Sequence, residues 1–417
     1  MDPVASQQYQ AMAIQVLTAC GKGENFELNR LLLPHVQDLL ERIKPHELHM
    51  NDLCAFGQIL QQQGHYQKAG TLFETALKFM KHSTGENSVN ILEITFRLAL
   101  SYSEQGRWEE AERLQIVVLA QRRQILGMEH PDTIMAAAYL AETYHQEGRW
   151  TECETLFAEV LEQRRRILGM EHPDTIKAAE NLAVTYHSQG RWMESEQVGI
   201  KVLEQRRRLL GTEHPDTIQV ASNLASTYRA QGRWTESERL ELEVLEQRRR
   251  ILGIEHPNTI TAAANLASTY YSQGRSAESE ALELEVLDQR RRILGMTHPD
   301  TIRAAANLAA TYHFQKRWAD SETLEVEVLE QRKRILGIEH PNTILAAGNL
   351  AATYGAQGRW EEAAGLLIPT FHLSSKILGE KHPDTQGYLR NIVFICDKWD
   401  EGEEFEEMRS LVTPDTS

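Results

Sequence analysis

Apolar residues fall on one side of a helix again and again along this chain. After Pro173, Ile176, Ala179, Leu182, Ala183 and Tyr186 recur at spacings of three and four, the period of a single helical face. Pro173 suits the first turn, and Asp174 or Thr175 is expected to cap the free amides there. Gly190 closes this helix. Arg191 and Trp192 open a second one, whose stripe runs through Val198, Val202 and Leu203 to Gly211. That second helix spans about 18 residues, roughly 27 Å. Neither helix buries its stripe alone, so the two are expected to pack antiparallel across the glycine turn, and successive pairs to stack.

The same unit is written over and over. His-Pro-Asp-Thr, with Asn sometimes in place of Asp, begins at His130, His172, His214, His256, His298, His340 and His382, always 42 residues apart. The turn reads QGRW at Gln105, Gln189, Gln231 and Gln357, EGRW at Glu147, QGRS at Gln273, QKRW at Gln315 and QGHY at Gln63. The expected organisation is an N-terminal helical cap over 1–46, eight helix pairs of 42-residue period over 47–381, and a degenerate last repeat over 382–417 with the acidic stretch DEGEEFEEM. Ser276 lacks the turn aromatic and Lys316 replaces the turn glycine, so residues 274–318 are expected to be locally softer.

Composition narrows the function classes. With 41% hydrophobic and 25% charged residues in 417, the chain has a soluble, folded make-up. Its net charge of -16 argues against a nucleic-acid partner, which would ask for a basic face. No run of 18 apolar residues exists, so no membrane span is expected. Cys20, Cys54, Cys153 and Cys396 lie far apart and read as free thiols of a cytoplasmic protein. No GxxxxGK[ST] phosphate loop and no ligand-like spacing is present, so neither cofactor nor metal is expected.

The pattern N-L-A-x-x-Y-x-x-Q-G-R-W followed by a longer second helix resembles a tetratricopeptide repeat. The 42-residue unit with LEQRRRILGxEHPDT is similar to the kinesin-light-chain type, and to the C-terminal arrays of fungal nucleotide-binding immune-type receptors, here without a nucleotide-binding domain. The resemblance implies an all-α, right-handed superhelical solenoid whose first helices line a concave groove. It implies a protein or peptide ligand in that groove.

Periodicity then picks out candidate contacts. Asn181, Asn223, Asn265, Asn307, Asn349 and Asn391 form a ladder whose amides could hold a peptide backbone or could instead bond the neighbouring helix. Around the ladder, the positions that vary between units include Lys177, His187, Arg229, Tyr271, Arg303, His313 and Phe314, the natural places to read ligand sequence. Arg229 and Arg303 could clamp a carboxylate or be held in ion pairs. Seven histidines a whole repeat apart cannot converge on one reacting atom, so their role reads as structural. The arginine runs at Arg164–Arg166, Arg206–Arg208, Arg248–Arg250 and Arg290–Arg292 read as pairing with glutamates rather than as a phosphate stripe. The leading function is a noncatalytic interaction scaffold. The alternative is an enzyme or small-molecule binder with acid–base residues among Tyr139, Glu142, His145 and His187. Homo-oligomers are compatible with near-identical units but not indicated.

Overall fold

The computed structural model describes residues 3–21, 26–83 and 89–399, with Arg409 and Leu411; the acidic stretch 400–408 lies outside them. The chain divides into two compact units, Met1–Leu209 and Leu210–Ser417. The first holds α1 (Pro3–Gly21), α2 (Phe26–Arg42), α3 (Met50–Gln62), α4 (Tyr66–Ser83), α5 (Val89–Glu104), α6 (Trp108–Leu126), α7 (Pro131–Gln146), α8 (Trp150–Leu168) and α9 (Pro173–Ser188), and α10 (Trp192–Leu210) runs to the division. The second holds α11 (Pro215–Ala230), α12 (Trp234–Leu252), α13 (Pro257–Ser272), α14 (Ser276–Leu294), α15 (Pro299–Phe314), α16 (Trp318–Leu336), α17 (Pro341–Ala356), α18 (Trp360–Ile377) and α19 (Pro383–Cys396). In each unit, consecutive helices pack on one another as antiparallel pairs stacked into an all-α solenoid. From α7 to α17 the first helix of every pair has 16 residues, and from α6 to α16 the second has 19.

The His-Pro phrase is a helix start. His172 itself is the N-cap, and its Nδ1 accepts a hydrogen bond from the Asp174 amide at 3.2 Å. His130, His214, His256, His298, His340 and His382 do the same in their repeats. This corrects the expectation that Asp174 or Thr175 caps: proline at N1 moves the cap one residue earlier, where an imidazole nitrogen serves as acceptor.

The turn phrase stitches one repeat to the previous one. Arg275 lies over the Tyr270 ring at 4.2 Å and reaches back to Glu238 at 2.8 Å, while Gln273 donates to Glu238 at 2.9 Å. Arg191 with Tyr186 and Glu154, and Arg359 with Tyr354 and Glu322, repeat the arrangement. The tryptophan that follows is not core: Trp192 is exposed and Trp150, Trp234, Trp318 and Trp360 are half-buried. Leucine, valine and alanine fill the interior instead, with Leu224, Leu266 and Leu308 buried alongside Val244, Val286 and Val328.

The arginine runs divide their labour. The first member turns inward and donates to the second residue of the next helix, as Arg248 does to the Asn258 carbonyl and Arg290 to that of Asp300, both at 3.0 Å. The second reaches forward to the next second helix, as in Arg123–Glu159, Arg249–Glu285 and Arg291–Glu327. The third reaches back to a loop glutamate, as in Arg292–Glu255 at 2.7 Å. The partners are thus in neighbouring repeats rather than on the same helix. Exposed pairs of this kind contribute about 0–1 kcal/mol each, so their value lies in fixing register.

At the turn after α15, Lys316 takes the left-handed conformation, φ 62°, that glycine adopts at the same place elsewhere, as in Gly274 at 76° and Gly358 at 79°. A side chain there costs about 1–2 kcal/mol. Lys316→Gly is therefore expected to raise stability by about 1 kcal/mol, glycine's larger unfolded-state freedom offsetting the rest. Hydrogen exchange should slow in α15 and α16 of the variant; unchanged exchange and denaturation would show that this turn carries no strain.

Candidate functional site

The candidate contacts are spread over the length of the first helices. Lys177 and Arg303 stand in the second turn, and His187, Arg229, Tyr271, His313 and Phe314 in the last, about 15 Å away along a helix. The asparagine ladder lies between. Asn181, Asn223 and Asn265 are half-buried, Asn307 and Asn349 exposed.

Several candidates already have work inside the protein. The Asn181 side chain hydrogen-bonds to Glu142 of the preceding repeat, and Asn223 accepts from Gln219 at 2.9 Å. Lys177 pairs with Glu180 at 3.3 Å, and Arg303 with Asp300 at 2.6 Å. Arg303 also edges a cleft of about 260 Å³ between α15, α16 and α17, with Arg332 and Asn342. Arg229 donates to the buried Glu241 carboxylate and to the Asn265 carbonyl of the next repeat, both at 3.3 Å. It is an internal clasp.

Two candidates form an aromatic pair. Tyr271 and Phe314, from successive first helices, meet edge to face with ring centroids 5.9 Å apart and remain 39% and 56% exposed. Beside them, His313 packs on Trp318 at 4.8 Å and shares a 2.9 Å hydrogen bond with Thr353, and burial lowers its pKa.

The acid–base alternative has its own geometry in the first unit. His145 Nε2 lies 3.4 Å from Ser188 Oγ and its ring packs on Trp150. The Ser188 hydroxyl also bonds the Val184 carbonyl of its own helix at 3.1 Å. Partial burial raises the Tyr139 pKa and lowers that of His145, and desolvation by the surrounding helices raises that of Glu142 although its side chain is exposed. Among the described residues no three histidine, cysteine, aspartate or glutamate side chains are grouped to hold a metal ion. None of the described helices is long and apolar enough to cross a membrane.

One column of residues has chemistry that the candidate set leaves out. Glu241, Glu283 and Glu325 occupy one position of α12, α14 and α16, each nine-tenths or more buried. The signal in the sequence is a glutamate in the midst of an apolar stripe, 12 residues after Arg229, Tyr271 and His313 respectively. Only Glu241 receives a guanidinium. Burial pushes Glu283 and Glu325 up to about 7, with neighbouring hydroxyls of Ser279 and Thr311, and of Ser321 and Thr353, opposing the rise.

Comparison with known proteins identifies the scaffold. The tetratricopeptide repeat model matches residues 51–124, 132–194, 174–246, 217–292 and 300–367. No curated protein matches. Among solved structures, a Podospora anserina protein assigned as a kinesin light chain, of nearly identical TPR-like repeats, is 26% identical over 50% of this chain and 98% of its own, with a TM-score of 0.46. The quorum sensor NprR from B. thuringiensis is 14% identical over 88% of this chain and 98% of its own, TM-score 0.58. The STAND protein PH0952 from Pyrococcus horikoshii, with its tetratricopeptide repeat sensor, is 14% identical over 94% of this chain and 55% of its own, TM-score 0.57. The two likenesses at 14% speak to fold alone. With the repeat model matched over most of its length and the helix pairs observed, the chain belongs to the tetratricopeptide repeat family.

Proposed function

We propose that this chain is a noncatalytic interaction scaffold that holds an extended peptide, or an extended segment of a partner protein, along its first helices. In the second unit the contact line runs over Asn223, Asn265, Asn307 and Asn349, with Tyr271 and Phe314 as the apolar anchor. The observation that carries the reading is that exposed aromatic pair. Two large rings stand partly in water on successive first helices that also carry the ladder amides, while the leucines of the same helices are buried. A few rigid aromatic anchors among adaptable polar groups is the usual make-up of a binding surface. Repeats hold such groups in place beforehand, which lowers the ordering cost of binding an extended ligand. Arg229 serves this surface as a positioning residue, fixing the Asn265 carbonyl, rather than as a clamp on ligand.

The test is selection of peptides from a random display library on the purified protein, followed by titration calorimetry. Asn265→Ala with Asn307→Ala, and separately Phe314→Ala, are expected to weaken a selected peptide by about tenfold or more, one to two kcal/mol per lost contact. Equal affinity for all three proteins would move the ligand off the first helices and refute the assignment.

A further inference from the structure

Two departures from the repeat lie opposite one another in the first unit. At one position of the second helices the chain carries Ile116, Ala158, Ile200, Leu242, Leu284, Val326 and Ile368, so Ala158 alone is small. At the next it carries Val117, Glu159, Lys201, Glu243, Glu285, Glu327 and Pro369, so Lys201 alone is basic. Ala158 on α8 and Lys201 on α10 line the same cleft, of about 400 Å³, closed below by Leu161, Ile176, Leu182, Val198 and Val202. That volume is in the range of small-molecule sites, about 300–1,000 Å³.

The rim explains what such a cleft would select. Arg165, the second member of its run, also lines it. In other repeats that arginine reaches 36 residues ahead to a glutamate: Arg123 to Glu159, Arg249 to Glu285, Arg291 to Glu327. Thirty-six residues beyond Arg165 stands Lys201. The bridge is replaced by two cations, and neither has a carboxylate within ion-pair distance among the described residues. Exposed Glu162 and Glu204 stand on the rim as well. The same acidic position recurs as Glu246, Asp288 and Glu330, so what is particular to this cleft is the lysine. At the floor, the buried Thr175 hydroxyl has no hydrogen-bond partner.

We propose that this cleft binds a small amphipathic carboxylate, its apolar body in the space left by Ala158 and its carboxylate between Arg165 and Lys201. A guanidinium and an ammonium on one anion give charge-assisted hydrogen bonds, and the apolar walls favour a hydrocarbon body over a bare ion. The site lies among α8, α9 and α10, apart from the asparagines and aromatics of the second unit, so neither reading depends on the other.

Calorimetric titration of the full chain with decanoate, below its micellar range, tests the site, with decanol and acetate as controls. Decanoate is expected to bind, and decanol and acetate to bind about tenfold more weakly or worse. Two variants restore the residue type of the other repeats and so should fold: Lys201→Glu, which rebuilds the bridge to Arg165, and Ala158→Leu, which fills the space. Each is expected to abolish decanoate binding while leaving the helical circular dichroism intact. Equal binding of decanol and decanoate, or decanoate binding that survives both variants, would overturn the proposal, as would no binding of decanoate to the unaltered protein.

Discussion

Replacing Glu283 and Glu325 with glutamine is expected to stabilise the protein above pH 7 and to flatten its stability profile between about pH 4.5 and 7. In the folded chain, burial raises both carboxyls from 4.5 to about 7. Between those values the fold holds protons that the unfolded chain releases. The stability that these groups contribute is therefore fully present below 4.5 and is lost as pH rises through 7. At 1.36 kcal/mol per unit of pKa, the charged form costs roughly 3 kcal/mol per carboxyl. Glutamine keeps the shape and removes the charge. The groups around each site do not supply the missing cation: Glu280 and Glu322 lie one turn away on the same helices and push the pKa values further up. Other groups titrate in the double variant and the parent alike, so they drop out of the difference between the two profiles. His145 and His313, kept neutral by burial, cost stability as pH falls through 6.5. Arginine-paired carboxylates such as Glu194 and Glu362, held below 4.5, lose their contribution only in acid. Urea midpoints measured from pH 5 to 8.5 check the result. Parallel profiles for the double variant and the parent would mean that both carboxyls titrate normally.

The helix pairs were open to sequence reading because each depends on a local cause. Apolar spacing sets the buried face, the glycine of QGRW takes a backbone angle that other residues avoid, and proline starts each first helix. Residues whose role depends on a neighbour 12 to 39 positions away were less legible. Arg229 as a candidate clamp and Arg229 bonded to Glu241 look the same in one dimension. Asn181 likewise reads as a free amide until the first helix of the preceding repeat supplies Glu142. The buried glutamates were visible as an oddity of one column. What they do depends on whether a cation stands 12 residues earlier on the partner helix, and only Arg229 provides one. The capping histidine was missed for a simpler reason: imidazole is an uncommon cap, and the aspartate and threonine beside it are the commoner choice. The cleft at Ala158 and Lys201 needed both levels, a comparison of repeats to find the two exceptions and coordinates to find them facing each other.

Within one arginine run, adjacent residues should differ sharply in worth. Arg122→Met is expected to cost about 2–3 kcal/mol, and Arg123→Met less than about 1. Arg122 is 3% exposed, donates to the Asp132 carbonyl and to Glu93, both at 2.9 Å, and lies over the Phe96 ring at 4.5 Å. Methionine keeps the apolar stem but loses the donors and the ring contact. Relief from burying a charge offsets part of that loss, which is why the expected cost stays below the sum of the contacts. Arg123 meets only Glu159, in a pair that both partners leave partly in water. Arg122→Lys sharpens the comparison. It retains the charge but not the planar fork that spans a carbonyl and a carboxylate together, so it should recover less than half of the loss. Denaturation midpoints for the three variants decide the matter. Equal losses at 122 and 123 would mean that the run acts through its net charge, and full recovery by lysine would mean that the fork geometry does not matter. The expected order would establish that the run's inward arginine is a structural pin between one helix pair and the next, leaving its outward neighbour to set register.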